Sequence, residues 1–268
     1  MKSPNYSSYV HAADYVIQLR FHDPASCRIV IPFPAPAPAP ALAQRLSGII
    51  DVFSGKSKSS TKGQLKDDRI LSGEGEYDGS FDPSSGKGTI NLPPHNRRIV
   101  LLNFLTQVFC RLVIEHGGLI LHAACVIRKN RAYIFYGRSG AGKSTVCRFS
   151  PGCDIATDDI TAIRKRGSQF LAWGVPQADR FPPPPKYGPF PIKGLFRLVQ
   201  SKKNRVDPLS RAEAASGLIG TWKNQMQSET ISKMLELLSK LTDHTPVYEL
   251  QFRKDISFWK IIDKSFGD

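Results

Sequence analysis

The sequence predicts an α/β protein in two parts, a small β-rich module over residues 1–95 and a larger phosphate-loop domain over 96–268. Three observations carry this. Short alternating apolar runs between turn residues fill the first ninety-odd positions. Helical periodicity starts after Pro93-Pro94. A strand-like run then enters Gly137-Arg-Ser-Gly-Ala-Gly-Lys143-Ser144, a full match to G-x-x-x-x-G-K-[ST]. With 268 residues, 41% of them hydrophobic, the chain has length and apolar content enough for a packed core.

The elements follow in order. Tyr15–Phe21 and Cys27–Ile31 read as strands. Pro32–Pro40 alternates proline with other residues, a stiff polyproline II connection. Ser54–Gly63 is polar and basic and reads as a loop, and the five glycines of Gly73–Gly88 read as hairpin turns. From Arg98 to His116, Leu101, Leu105, Val108, Phe109 and Leu112 recur at helical spacing, and Gly117-Gly118 ends the helix. Leu119–Ile127 and Ala132–Tyr136 are strands around a polar turn, Arg128–Arg131. Further on, Asp159–Ile163 is a strand and Pro182–Pro185 a loop. Ser210-Arg-Ala-Glu213 is a capping box opening a helix, Ile231–Leu241 an amphipathic helix, Val247–Phe252 a strand, and Phe258–Ile262 a closing helix.

Lysine and arginine total 37 against 23 acidic residues, a net charge of +14, of which +11 falls in residues 101–268. Such a balance fits a nucleic-acid binder, a binder of phosphates or acidic peptides, or a basic soluble surface. No zinc finger, aromatic RNA-binding motif or basic heptad helix accompanies it, so no nucleic acid is expected as partner. The apolar runs are shorter than a membrane span, and the first residues lack the apolar stretch of a signal peptide. No membrane is expected, and a cytoplasmic location is. The five cysteines show no C-x-x-C spacing, which argues against a disulfide framework or a cysteine zinc site.

The phosphate loop demands its residue types. Glycines let backbone N–H groups curl around phosphates, and a helix N-terminus adds partial positive charge. Gly137, Ser139, Gly140, Ala141, Gly142, Lys143, Ser144 and Thr145 are the candidate ATP-binding residues. Lys143 should reach the β- and γ-phosphates, and Ser144 should ligate Mg²⁺. Asp158-Asp159 follows Lys143 by fifteen residues, room for one helix and a return to the sheet. One carboxylate can hold Mg²⁺ while the other takes a proton from an attacking hydroxyl. His122, in an apolar strand, reads on its own as a hydrogen-bonded core histidine.

Gly118-Leu-Ile-Leu-His-Ala-Ala-Cys125, the turn after it, Ile134–Thr145 and Thr157-Asp-Asp159 together resemble the HPr serine kinase family. They look closer still to the HPr-kinase-like proteins of peptide biosynthetic clusters, lasso-peptide tailoring kinases among them. The resemblance covers residues 98–163 and weakens beyond. It implies a mixed-sheet P-loop kinase domain of HPr kinase type, related to phosphoenolpyruvate carboxykinase. It also implies that His122 sits near the transferring phosphate and that Asp158 and Asp159 supply base and metal functions; Asp158 as base and Asp159 as metal ligand beside Ser144 is the expected order, and the reverse stays open. The chain departs from HPr kinase itself in Leu121-His-Ala123, in Thr145, and in lacking the arginine–glycine signature downstream of the Asp pair. HPr is therefore not the expected substrate. A serine hydroxyl on a precursor peptide is the better expectation.

The basic groups Arg164-Lys-Arg166, Lys202-Lys-Asn-Arg205, Arg180 and Lys186 are each either a solvated face or part of a peptide channel. Two other functions stay open: a kinase for a small hydroxylated molecule, and a non-catalytic ATP-gated binding module. The sequence also leaves homo-oligomer formation open.

Overall fold

The computed structural model describes residues 6–24, 26–29, 34–35, 46–54, 78–175, 187–221 and 228–266. The chain divides into two units, residues 1–112 with 176–178, and residues 113–175 with 179–268. The division falls inside the helix that starts at Arg97 and not at residue 96.

In the first unit, β1 (Tyr6–Ala12) and β2 (Tyr15–Phe21) form a hairpin. Its two turn residues, Ala13 and Asp14, both have positive φ (49° and 74°), the twist that matches paired strands. β3 (Pro34–Ala35) joins the free edge of β1, where strand prolines are tolerated. β4 (Leu46–Ser54) and β6 (Lys87–Leu92) lie parallel to β2, and β5 (Asp78–Asp82) closes the other edge. The sheet order is β3-β1-β2-β4-β6-β5. Period-two alternation turns Ile17, Leu19, Phe21, Ile50, Val52, Phe81 and Ile90 into the core. Helix α1 (Arg97–Glu115) lies against it, with the Phe104 ring 2.9 Å from where a Cβ on Gly79 would stand.

The strand expected at Cys27–Ile31 does not form over its described part. Ser26 N donates to Asp23 Oδ1 at 2.8 Å and Ile29 N to Ser26 O at 3.1 Å, so Ser26–Arg28 is a turn. Local side-chain hydrogen bonds outcompete the sheet here. Residues 30–31, the polyproline run apart from β3, residues 55–77 and Pro182–Pro185 lie outside the described residues.

The second unit begins with the end of α1. Gly117 has φ of 70°, its N–H reaches Ile114 O at 3.0 Å, and Gly118 N reaches Val113 O at 2.7 Å. That is the Schellman pattern, which only a residue at home in the left-handed region supports. Then come β7 (Leu119–Arg128), β8 (Arg131–Tyr136), α2 (Lys143–Arg148), β9 (Asp154–Thr157), β10 (Ile160–Arg166), β11 (Gln169–Gly174), β12 (Phe190–Gln200), β13 (Arg205–Pro208), α3 (Arg211–Ile219), α4 (Ser228–His244), β14 (Val247–Phe252) and α5 (Phe258–Phe266). Asn130 and Lys129 take positive φ in the two-residue β7–β8 turn. The capping box at α3 is present in both directions, Ser210 and Glu213 each serving the other's backbone.

The sheet order is β11-β10-β7-β8-β12-β14-β13, with β9 beside β7. β8, β12 and β14 run parallel and the other pairs antiparallel, so the sheet is mixed. Alternation along β7 and β8 divides the core in two. Leu119, Leu121, Ile134 and Leu195 face α3 and α4 through Ala214, Leu218, Met234 and Leu238. Ala124, Phe135, Phe196 and Phe252 face α2 and α5 through Val146, Cys147, Phe258 and Trp259. Trp259 Nε1 donates to Ser150 Oγ at 3.0 Å, fixing α5 to the end of α2.

Candidate functional site

The glycine-rich segment is the turn between strand β8 and helix α2. Gly137 leaves the strand with φ of 155°, and Gly140 (79°) and Gly142 (113°) turn the chain through conformations that suit glycine. A Cβ at Gly142 would stand 2.5 Å from the tip of the Phe252 ring, so the loop rests on β14 through a side chain only a glycine admits. Ala141 N donates to Arg138 O at 3.0 Å, and Val146 N to Gly142 O at 2.8 Å begins the helix. Lys143 is buried, 7% exposed, with Nζ donating to Gly137 O at 3.1 Å and Arg138 O at 3.4 Å. Its ammonium lies across the loop mouth. Ser139 and Gly140 are exposed, and Thr145 lies in α2, where its carbonyl accepts Phe149 N at 3.0 Å.

The second part is the tight turn between β9 and β10. Thr157 Oγ1 accepts both Asp159 N (3.2 Å) and Ile160 N (3.1 Å), which fixes the two aspartates between the strands. They point to different partners. Ser144 Oγ donates to Asp158 Oδ2 at 2.7 Å, and Asp158 is 8% exposed. Asp159 Oδ1 lies 2.9 Å from His122 Nε2, with the two side chains 39% and 22% exposed. His122 is opposite Ile160 in the β7–β10 register. Its own N–H donates to Thr221 O at 3.2 Å, just past the end of α3. Thr161 Oγ1 donates to Ala123 O at 2.8 Å and ties the strands together beside it.

The loop 137–145, Asp158, Asp159 and His122 thus fall in one place. The order within the Asp pair is the surprise, because the serine hydroxyl meets Asp158 and not Asp159. Thr157, Thr221 and Phe252 were not singled out as positioning residues. Thr157 stood beside the Asp pair in sequence; the other two act from distant elements and leave no local signal.

The cysteines near the loop do not compete as reactive groups. None of the five cysteines forms a disulfide. Burial pushes the Cys125 thiol up to about 12. Burial first, and then the charge of Asp158, push Cys147 up as well. Neither is a thiolate near neutral pH. Among the described residues, no group of three or more His, Cys, Asp or Glu side chains is placed to hold a metal ion. Of the basic clusters, Lys165 and Arg166 lie over the rings of Phe170 and Trp173 at 5.9 and 5.8 Å, on the β10–β11 hairpin. Arg180 and Lys186 lie outside the described residues. No helix among the described residues is long and apolar enough to cross a membrane.

Fold and site together define a mixed α/β protein with a glycine-rich strand–loop–helix turn set against a pair of aspartates. Residues 91–267 match the family described as SynChlorMet cassette protein ScmC, and the chain belongs to that family. No curated protein matches it.

Proposed function

We propose that this protein is a Mg²⁺- and ATP-dependent phosphotransferase of HPr-kinase-like type, which phosphorylates a serine hydroxyl on a ribosomal precursor peptide of lasso type. The observation that carries the reading is the Ser144–Asp158 hydrogen bond at the foot of a complete phosphate-loop motif. The peptide acceptor comes from the resemblance to peptide-tailoring kinases, and a cassette family is a natural setting for an enzyme encoded with its substrate.

Mg²⁺ binds few protein groups and keeps waters and phosphate oxygens for the rest. Two oxygens 2.7 Å apart at the loop, one of them a buried carboxylate, fit that demand. Ser144 and Asp158 would hold the ion, and when bound it would neutralise charge on the phosphates. The loop amides of 137–142 and Lys143 bind and orient the triphosphate. Asp159, half open to solvent and held by His122, takes the proton from the acceptor hydroxyl as its oxygen attacks the γ-phosphorus. ADP leaves, and the phosphoryl group stays on the serine oxygen. This reading inverts the roles expected from the sequence, where Asp158 was the base and Asp159 the metal ligand.

The test is incubation with Mg-ATP and candidate serine-containing precursor peptides, with added phosphate located by mass spectrometry. Transfer that disappears in Asp159→Asn supports the reading. Phosphate on a small hydroxylated molecule alone points to the small-molecule kinase. ATP binding with no transfer to any acceptor points to a non-catalytic module.

A further inference from the structure

Two loops flank the outer rim of the phosphate loop and are tied both to it and to each other. Gln200 Nε2, at the end of β12, donates to Gly140 O at 2.7 Å. Ser201 N donates to Phe252 O at 3.0 Å, and Phe252 is the ring beneath Gly142. Arg253 N donates to Asn204 Oδ1 at 2.7 Å, and Asn204 Nδ2 to Ser257 Oγ at 2.7 Å. Lys203 N closes a tight turn onto Ser201 Oγ at 3.2 Å. Residues 200–204 and 253–257 therefore form one braced platform beside the loop mouth.

What the platform presents is positive charge. Lys202, Lys203 and Lys254 are exposed, as is Arg138 within the phosphate loop. Among the described residues none of these four makes an ion pair. The one carboxylate on the two loops, Asp255, is already engaged by Arg253 and by Ser257, whose N–H it accepts at 2.9 Å. Amid these cations stands Ile256, at 55% the most exposed of the large apolar side chains among the described residues. A folded monomer gains nothing from clustering uncompensated cations around an exposed isoleucine. A ligand carrying carboxylates and an apolar side chain gains from both.

We propose that this platform docks an acidic segment of the peptide acceptor, with Lys202, Lys203, Lys254 and Arg138 facing its carboxylates and Ile256 its apolar residue. The segment's attachment at the rim brings its serine to the loop mouth. The surface is compact, and among the described residues of its loops no aromatic ring is exposed for base stacking, which favours peptide over nucleic acid. The identity of the ligand as substrate rests on the peptide-kinase reading; the docking itself needs no turnover.

The experiment is fluorescence anisotropy with a labelled synthetic serine peptide rich in glutamate and leucine, against a matched peptide with glutamine for every glutamate. The glutamate peptide should bind and the glutamine peptide should not, and added salt should weaken binding. Lys202→Glu/Lys203→Glu/Lys254→Glu should weaken it by at least about tenfold, with the arginine triple variant retaining it and circular dichroism melts showing both folded. Equal binding of the two peptides, or an unaffected glutamate variant, overturns the proposal. So does displacement of the peptide by saturating ATP, which would assign the cations to the nucleotide, or stronger competition from single-stranded DNA of equal charge. Charge-dependent binding without phosphate transfer rejects the kinase reading alone. Transfer without charge-dependent binding rejects the docking surface alone.

Discussion

Ser144 Oγ donates to Asp158 Oδ2 at 2.7 Å, joining the first turn of α2 to the turn between β9 and β10. Asp158→Asn keeps the size and the hydrogen-bonding capacity and removes the charge. Nucleotide should then bind equally with and without Mg²⁺ in isothermal titration calorimetry, and turnover should fall by about 100-fold or more. Full Mg²⁺-dependent turnover in this variant would remove Asp158 from the metal site.

The His122–Asp159 contact makes a second prediction, about a pair acting as one unit. Asp159→Asn should lower kcat by about 100-fold and His122→Ala by about tenfold, with ATP affinity little changed. The double variant should be no worse than Asp159→Asn, because a histidine that only orients the carboxylate has nothing left to orient. Multiplicative losses would show that His122 touches the reacting groups independently.

Gly142 combines a φ of 113° with the Phe252 ring 2.5 Å from any added Cβ. Gly142→Ala should cost about 2 kcal/mol through backbone strain and ring displacement, seen as a lowered Tm, and should abolish nucleotide binding. Phe252→Leu in the same background should return part of the Tm without restoring binding, since the backbone strain remains.

Away from the site, the β5–β6 turn offers a pH test. Ser84 and Ser85 hydroxyls and the Ser84 N–H hold the Asp82 carboxyl down to about 2, from an ordinary 3.8. A depressed carboxylate stabilises the fold above its unfolded pKa and loses that stabilisation as pH falls through the folded value. Asp82→Asn should therefore melt below the wild type at pH above about 4, with the gap closing toward pH 2. A gap that persists unchanged at pH 2 would show that the turn depends on side-chain shape and not on the charge.

What the sequence made legible was contiguous. The glycine-rich motif is a run of eight residues with fixed Gly, Lys and Ser positions, and the Asp pair sits on one short turn. Which aspartate does what was not legible, because neighbours on a tight turn point to different sides and only the partners decide. Thr221 and Phe252 escaped for a related reason: a carbonyl beyond α3 and a ring on β14 reach the site from far along the chain. The inner strand β12 escaped through Pro191 and Gly194, which argue against a strand locally, while its place between β8 and β14 buries it. At Cys27, by contrast, strand-like side chains lost to Asp23 and Ser26, whose hydrogen bonds are made within a few residues.

The insertion of β12 between β8 and β14 also orders the events of synthesis. The whole G-x-x-x-x-G-K-S motif leaves the ribosome long before the strands that brace its parent strand, and parallel pairings across such separations are slow to form. A polypeptide cut short ahead of Val247 would still score as a complete motif, yet it would have no Phe252 beneath Gly142. In this protein the glycine-rich loop is among the first segments translated within its unit, and the ring it rests on is among the last.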